Sequence, residues 1–271
     1  MPPISLVLVN SKIKVSERPF SYTPNRSIYP TEQRYEQTLA TIRSVRDKIP
    51  RSYVIFVDNS ELPPDMIEGL RASVDLLINP TDDSTLNADT DINPTKAVGE
   101  LAQVQLGLQA IDQLDFQWKH LFKICGRYVL NDSFEYPQFD NAHNIFKVNQ
   151  PLTKYKTDTA PAAAPVVLPT PSPSTPFQTV MRWLKGPPPP PPQPPPRNTT
   201  CYWTSFYKIS REHYAEYKKA VSSSYDLFKT DPAYFNEPLE LIFCERVRPK
   251  LEVDRLGLTI NAAVENWIED I

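Results

Sequence analysis

The chain has 271 residues, of which 40% are hydrophobic, and a net charge of -3. That is enough apolar material for one large or two small domains and too little positive charge to hold nucleic acid nonspecifically, so nucleic acid is excluded as the main partner. No run of about 18 apolar residues occurs, so no transmembrane segment is expected, and the N-terminal Met1-Pro2-Pro3-Ile4 stretch lacks the basic lead-in of a secretory signal. Three widely spaced cysteines, Cys125, Cys201 and Cys244, fit a reducing, cytoplasmic setting better than a zinc site. Sequons at Asn25, Asn131 and Asn198 would matter only in a secreted chain.

The first predicted element is a buried strand over Ile4 to Val9. An amphipathic helix follows from Glu32 to Lys48, with Tyr35, Leu39, Ile42 and Val45 on one face. Tyr53 to Val57 reads as a second strand ended by Asp58-Asn59-Ser60. A short helix spans Pro64 to Arg71, its prolines suiting a helix start, and a short strand spans Val74 to Ile78. A polar segment, Asn79 to Asn93, leads into a helix from Thr95 to Leu114. Next comes Phe122 to Asp132, an apolar strand pattern broken by Gly126-Arg127-Tyr128. This alternation of strand and helix predicts an α/β fold with a mostly parallel sheet flanked by helices.

Composition changes abruptly from Thr157 to about Arg197, where roughly half of the 30 prolines fall, including Pro187 to Pro192. Proline offers no amide donor to a ladder or helix, so residues 157–199 are expected to be an exposed, semi-rigid or disordered insertion. It divides residues 1–156 from 200–271, two parts of one domain. The apolar island Phe177 to Lys185 within it has helical spacing. The proline run fits either a spacer or a ligand for a proline-motif-binding domain. Beyond it, Tyr207, Tyr214, Tyr217 and Tyr225 form an aromatic segment whose helical spacing suits core packing more than an acceptor platform. Glu265 to Ile271 reads as a helix packing Trp267 and Ile271 on the sheet.

Ligands of open parallel sheets sit at the carboxyl ends of the strands. That rule selects Asn10, Ser11, Asp58, Asn59, Ser60, Arg127, Tyr128 and Asn131. Arginine after a buried strand suits bidentate capture of phosphate or carboxylate; its alternative is pairing with a core carboxylate, Gly126 then marking a bulge. Asp58 suits either a turn or a hydrogen bond from a base or ribose. His143 and His213 lie outside any nucleophile pattern, and no glycine-rich dinucleotide or Walker loop occurs.

The order Val9-Asn10, Val57-Asp58-Asn59-Ser60, Asn93-Pro94-Thr95-Lys96-Ala97-Val98-Gly99-Glu100 and Lys123-Ile124-Cys125-Gly126-Arg127-Tyr128 resembles the GT-A-type glycosyltransferases of large DNA viruses and bacterial polysaccharide clusters. Tyr202 to Ile209 and Asn236 through Leu258 share in the resemblance, which covers nearly all of the chain except the insertion. It implies a GT-A-like, Rossmann-like sheet and transfer of a sugar from a nucleotide-sugar donor to a glycan, lipid or protein acceptor, in the cytoplasm or, for a viral chain, the host cytoplasm. The implied donor-binding residues are Asn10, Ser11, Asp58, Asn59, Lys96, Glu100, Lys123 and Tyr128.

The chain departs from that family at one place. Gly126-Arg127-Tyr128 stands where an Asp-X-Asp commonly binds manganese or magnesium. Arginine cannot ligate a cation but can supply charge to the diphosphate, so the chemistry can run without metal. The alternative brings a metal to Asp132, Asp82-Asp83 or Asp89 and Asp91. Candidates for the base that activates the acceptor are Asp132, Glu237 and Glu240, Glu237 marginally ahead. Two other readings stay open: a non-catalytic α/β scaffold recruiting partners through its proline-rich loop, and a nucleotidyltransferase, which would want phosphate-binding glycines near the first strand.

Overall fold

The computed structural model describes residues 4–21, 23–149, 201–231, 250–253, 256–261 and 268–270, together with 234, 239, 246 and 247. Glu237, Glu240, Trp267 and the proline-rich segment with its apolar island lie outside the described residues. In chain order the elements are β1 (Ile4–Asn10), α1 (Thr31–Lys48), β2 (Ser52–Val57), α2 (Pro64–Ser73), β3 (Leu76–Ile78), α3 (Ser84–Asn87) and a π turn (Ala88–Ile92). Then come α4 (Lys96–Ile111), β4 (Trp118–Cys125), β5 (Tyr128–Leu130), α5 (Tyr136–Phe139), β6 (Asn144–Asn149), β7 (Cys201–Tyr202), β8 (Phe206–Ser210), α6 (Tyr214–Thr230), β9 (Lys250–Val253), β10 (Leu258–Asn261) and β11 (Ile268–Asp270).

The main sheet runs β3-β2-β1-β4-β8-β6-β7, with β9 also pairing β6. The four strands from β3 to β4 are parallel, β8 is antiparallel to both β4 and β6, and β9 is parallel to β6. The α/β, mostly parallel sheet flanked by helices is therefore present. Strand β1 is buried from Ser5 to Asn10, which explains its unbroken apolar run. Its alternate residues face opposite layers. Val7 and Val9 pack in one core with Ile42 and Val45 of α1, while Leu8 meets Gly107 of α4 on the other face.

Leaving β1, the chain first builds β2 and β3 on one side and then crosses to β4 on the other. The reversal places a topological switch point at the carboxyl ends of β1 and β4, the edge at which open sheets of this kind form their ligand crevice. A second sheet, β11-β10-β5, is antiparallel. Phe122, Phe134, Phe139 and Phe206 join in one aromatic cluster, Phe134 and Phe139 stacking at 5.0 Å. Gly257, at φ +68°, is held against the Phe134 backbone, a left-handed conformation and a tight approach that both call for glycine.

Several expectations change. The polar segment 79–93 is not a plain loop but holds α3, capped by the Asp83 carboxylate on the Leu86 amide (2.9 Å), and the π turn. The strand expected from Val74 begins at Leu76, because the Asp75 carboxylate is drawn aside to accept the Val54 amide (2.7 Å). Residues 268–270 form β11, paired to β10, rather than part of a helix. The tyrosines after β8 pack inward. Tyr217 and Tyr207 are buried and share a 2.8 Å hydroxyl contact, and the Tyr214 hydroxyl donates to the Leu108 carbonyl (3.0 Å).

A Cβ at Gly107 would lie 2.4 Å from Leu8 Cδ1 and 3.2 Å from its Cγ, so the whole isobutyl group stands in the way. Gly107→Ala should destabilise the fold by about 1–3 kcal/mol in urea titrations. Combined with Leu8→Ala, the loss should be smaller than the sum of the two single losses, a coupling that a double-variant cycle reads.

Candidate functional site

The carboxyl ends of β1 and β4 are knitted together by backbone. The Gly126 amide donates to the Asn10 carbonyl (2.9 Å), the Ser11 amide to Val57 (3.0 Å), and the Thr38 hydroxyl to the Gly126 carbonyl (2.8 Å). A Cβ on Gly126 would lie 2.8 Å from Ser11 Cβ and 3.3 Å from Thr38 Oγ1. The glycine thus lets the turn after β4 press against β1 and α1, and that turn carries Arg127 to the crevice.

Helix α4 lines the other wall with Lys96, Glu100, Gln103 and Gly107, which recur at i, i+4, i+7 and i+11 and so share one face. Glu100 receives the Lys123 ammonium in a buried ion pair, and Lys96 approaches its second oxygen at 3.9 Å. Lys123 also donates to the Thr204 carbonyl (2.8 Å) and lies 3.1 Å from Cys125 Sγ. Burial alone would raise the Glu100 pKa, but Lys123, Lys96 and Arg127 outweigh it and hold the carboxyl below its ordinary value. Burial likewise works against charge on Lys123, yet Cys125 and Glu100 carry its pKa upward. Burial, then the nearby charge of Arg127, lower the pKa of Arg34. The Arg127 guanidinium also stands 5.4 Å above the Tyr128 ring.

Beside these charges runs a neutral lattice of amides. Asn10 Nδ2 donates to Gln103 Oε1 (3.3 Å); Gln103 Nε2 donates to the Ser11 carbonyl (2.5 Å) and to Asn59 Oδ1 (3.2 Å); Asn59 Nδ2 donates to Asn87 Oδ1 (2.7 Å) and Thr90 Oγ1 (2.8 Å). Asn10 Oδ1 and Ser11 Oγ are buried without a protein partner among the described residues.

Asp58, wholly buried at the end of β2, accepts the Ile13 amide (2.7 Å) and the Ser60 amide (2.5 Å), one on each carboxylate oxygen. It thereby fastens the strap that joins β1 to α1. The strap is tied again where Arg34 donates to the Lys12 and Ile13 carbonyls and where Arg26 donates to the carbonyls of Arg18, Thr90 and Asn93.

The structure brings Asn10, Ser11, Asn59, Lys96, Glu100, Lys123 and Arg127 together at the switch point, with Asp58 and Ser60 behind them. It carries Asn131 and Asp132 elsewhere. Chain contacts with α1 step from Thr38 at Gly126, through Ser44 at Leu130, to Lys48 at Asp132. Helix α1 starts at the carboxyl edge of the sheet, so β5 leads away from the crevice. Asp132 is fully exposed and paired to Lys48 at 2.8 Å. Tyr128 sits with the buried core and pairs with Ile260. Sequence reasoning missed Gln103, Thr90 and Arg34. The polar stripe down one face of an otherwise apolar α4 was the available signal for Gln103.

Among the described residues no three His, Cys, Asp or Glu side chains stand together to hold a metal ion. The acidic candidates are dispersed: Asp83 caps α3, Asp89 pairs with Lys229 (3.0 Å) and receives the Tyr225 hydroxyl (2.5 Å), and Asp91 pairs with Lys12 (2.9 Å).

Removing one member of a buried pair strands the other charge. Glu100→Gln should cost about 3 kcal/mol in urea unfolding, and Glu100→Gln with Lys123→Met should recover most of it. Because the Glu100 pKa is depressed in the fold, its contribution is present above the ordinary value of 4.5 and is lost as pH falls through the folded value. Melting temperature should therefore drop on acidification below about pH 4.5, less steeply in Glu100→Gln.

No protein-family model matches the chain, and no curated protein matches it. Among solved structures it is similar to a glycosyltransferase involved in glycosylation of the major capsid of the virus PBCV-1, at 8% identity and TM-score 0.38, over 93% of this chain and 82% of that one. It is also similar to core-mannan synthase A from Aspergillus fumigatus in its Mn/GDP form, at 8% identity and TM-score 0.40, over 90% of this chain and 68% of that one.

Proposed function

We propose that the chain is a glycosyltransferase that takes a nucleotide-sugar donor at the switch point and passes the sugar to a hydroxyl of a glycan, lipid or protein. The observation that carries this reading is the two-part wall of the crevice. Lys96, Lys123 and Arg127 stand close to the Glu100 carboxylate, and Arg34 lies near Arg127 and Asp58, a concentration of cationic side chains in a chain of net charge -3. Cationic side chains gathered at one edge favour an anion beside them. The neutral amide lattice beside them suits a nucleoside, so a nucleoside diphosphate matches both halves.

In the transfer step the bond from the anomeric carbon to the diphosphate oxygen breaks as the acceptor oxygen bonds to that carbon. Negative charge collects on the departing diphosphate. Arg127 and Lys96 are assigned to hold it, a preorganised electrostatic role that needs no proton movement. Asp58 serves the site by fixing the strap, and Glu237 and Glu240 remain the candidates for the base that takes the acceptor proton.

Thermal-shift and calorimetric titration against UDP-, GDP-, CMP- and TDP-sugars, with manganese or with EDTA, test the reading. One donor should raise the melting temperature saturably, since a ligand at about 100 times its Kd adds about 2.7 kcal/mol to stability. Arg127→Ala should weaken that donor roughly ten- to hundredfold, the loss of a charge-assisted contact. Binding that survives EDTA places the diphosphate on the cations. Binding that requires manganese moves the phosphates to carboxylates, and binding to no donor defeats the proposal.

A further inference from the structure

The amide lattice that ends at Asn10 has a fixed direction. Backbone carbonyls only accept, and three of them anchor it: the Ser11 carbonyl takes Gln103 Nε2, the Leu86 carbonyl takes the Thr90 hydroxyl proton (3.0 Å), and the Thr81 carbonyl takes Asn87 Nδ2 (2.8 Å). Thr90 and Asn87 are left to accept, so Asn59 must turn its Nδ2 to them and its Oδ1 to Gln103. Gln103, its Nε2 committed to a carbonyl, must turn Oε1 to Asn10. Asn10 must then donate Nδ2 inward. What remains at the end of the lattice, beside the carboxyl end of β1, is Asn10 Oδ1, on a side chain only 5% exposed and without a partner among the described residues. Ser11 Oγ, also without a partner, can donate or accept and so sets no polarity.

An oxygen acceptor cannot bind a phosphate oxygen. We infer that Asn10 Oδ1 is a specificity-determining acceptor for the hydrogen-bond-donating part of a nucleoside, either a nucleobase imide N–H or a ribose hydroxyl, and that it selects against nucleotides lacking that donor. The inference rests on the nucleotide-sugar reading of the same crevice and adds to it which chemical face of the ligand lies against β1. Uracil, thymine and guanine carry an imide N–H; cytosine and adenine present a ring-nitrogen acceptor at the corresponding edge. Discrimination is expected because a ligand without the donor leaves a buried acceptor unpaired, the kind of mismatch that enzymes reject strongly.

Isothermal titration of the full chain with UDP, GDP, TDP, CDP and ADP, then with the 2′-deoxy and 3′-deoxy forms of the tightest binder, reads this directly. In the wild type, removal of the recognised donor should weaken binding roughly tenfold or more. In Asn10→Ala the same comparison should shrink to about twofold or less. Ratios are taken within each variant, so a smaller folded fraction cancels. Collapse of the base comparison assigns the imide, and collapse of the deoxy comparison assigns the ribose hydroxyl. If nucleotides bind but Asn10→Ala preserves every ratio, the acceptor is satisfied by water and the inference falls while the nucleotide reading stands. If no nucleotide binds the wild type, both fall together.

Discussion

The buried ion pair between Lys123 and Glu100 is the constraint on which the crevice depends. It ties the carboxyl end of β4 to the first turns of α4, two elements that share no hydrogen-bonded ladder. A lysine sealed inside a sheet is costly unless its charge is matched and its protons are used, and here a carboxylate, the Thr204 carbonyl and the Cys125 sulfur do that. The pair also draws other charge to it: Lys96 approaches the same carboxylate at 3.9 Å, and Arg127 adds to the field that keeps Glu100 ionised.

Much of this arrangement was legible in the residues. β1 and β2 announce themselves because strands covered on both faces need unbroken apolar runs, and α1 because its Ile42 and Val45 repeat at helical spacing against the core. The break at Gly126-Arg127 also pointed to the crevice, but for an incomplete reason. Glycine is required there by Ser11 and Thr38 of the protein itself, and the arginine follows from where that turn ends. What could not be read were features created by distant partners. Gln103 looks like any helical glutamine until Asn10, Ser11 and Asn59 surround it. The strand at 268–270 exists because β10 offers it a ladder, a nonlocal pairing that outweighs local helical spacing. Asp132 sits one residue after Asn131 and looked close to the site, but β5 turns down α1 and takes both away.

Arginine serves two different ends in this fold. Arg26 and Arg34 spend their donors on backbone carbonyls of the strap and of the π turn, so they act as internal cross-links for a segment with no regular structure. Arg26 further lies 4.1 Å over the Phe20 ring. The strap is thereby fixed against both the end of β2 and the entrance to α4, and the positions of Asp58, Asn59 and Thr90 are fixed with it. The planar guanidinium fork spreads its donors over carbonyls set further apart than a compact lysine ammonium reaches.

The position of β8 has a consequence for how the chain reaches this state. It lies between β4 and β6, although β6 precedes it in the chain and residues 150–200 intervene. Until β8 is synthesised, β4 presents an open edge and β6 has no bridge to the parallel strands. An N-terminal portion emerging from the ribosome therefore holds half a sheet with one sticky border. Closure entropy grows only with the logarithm of the intervening length, so the native sheet tolerates a long excursion there, but the wait for β8 lengthens with every residue added. Maturation of the crevice is thus timed by translation beyond residue 210, since the Thr204 carbonyl that receives Lys123 arrives on the approach to that same strand.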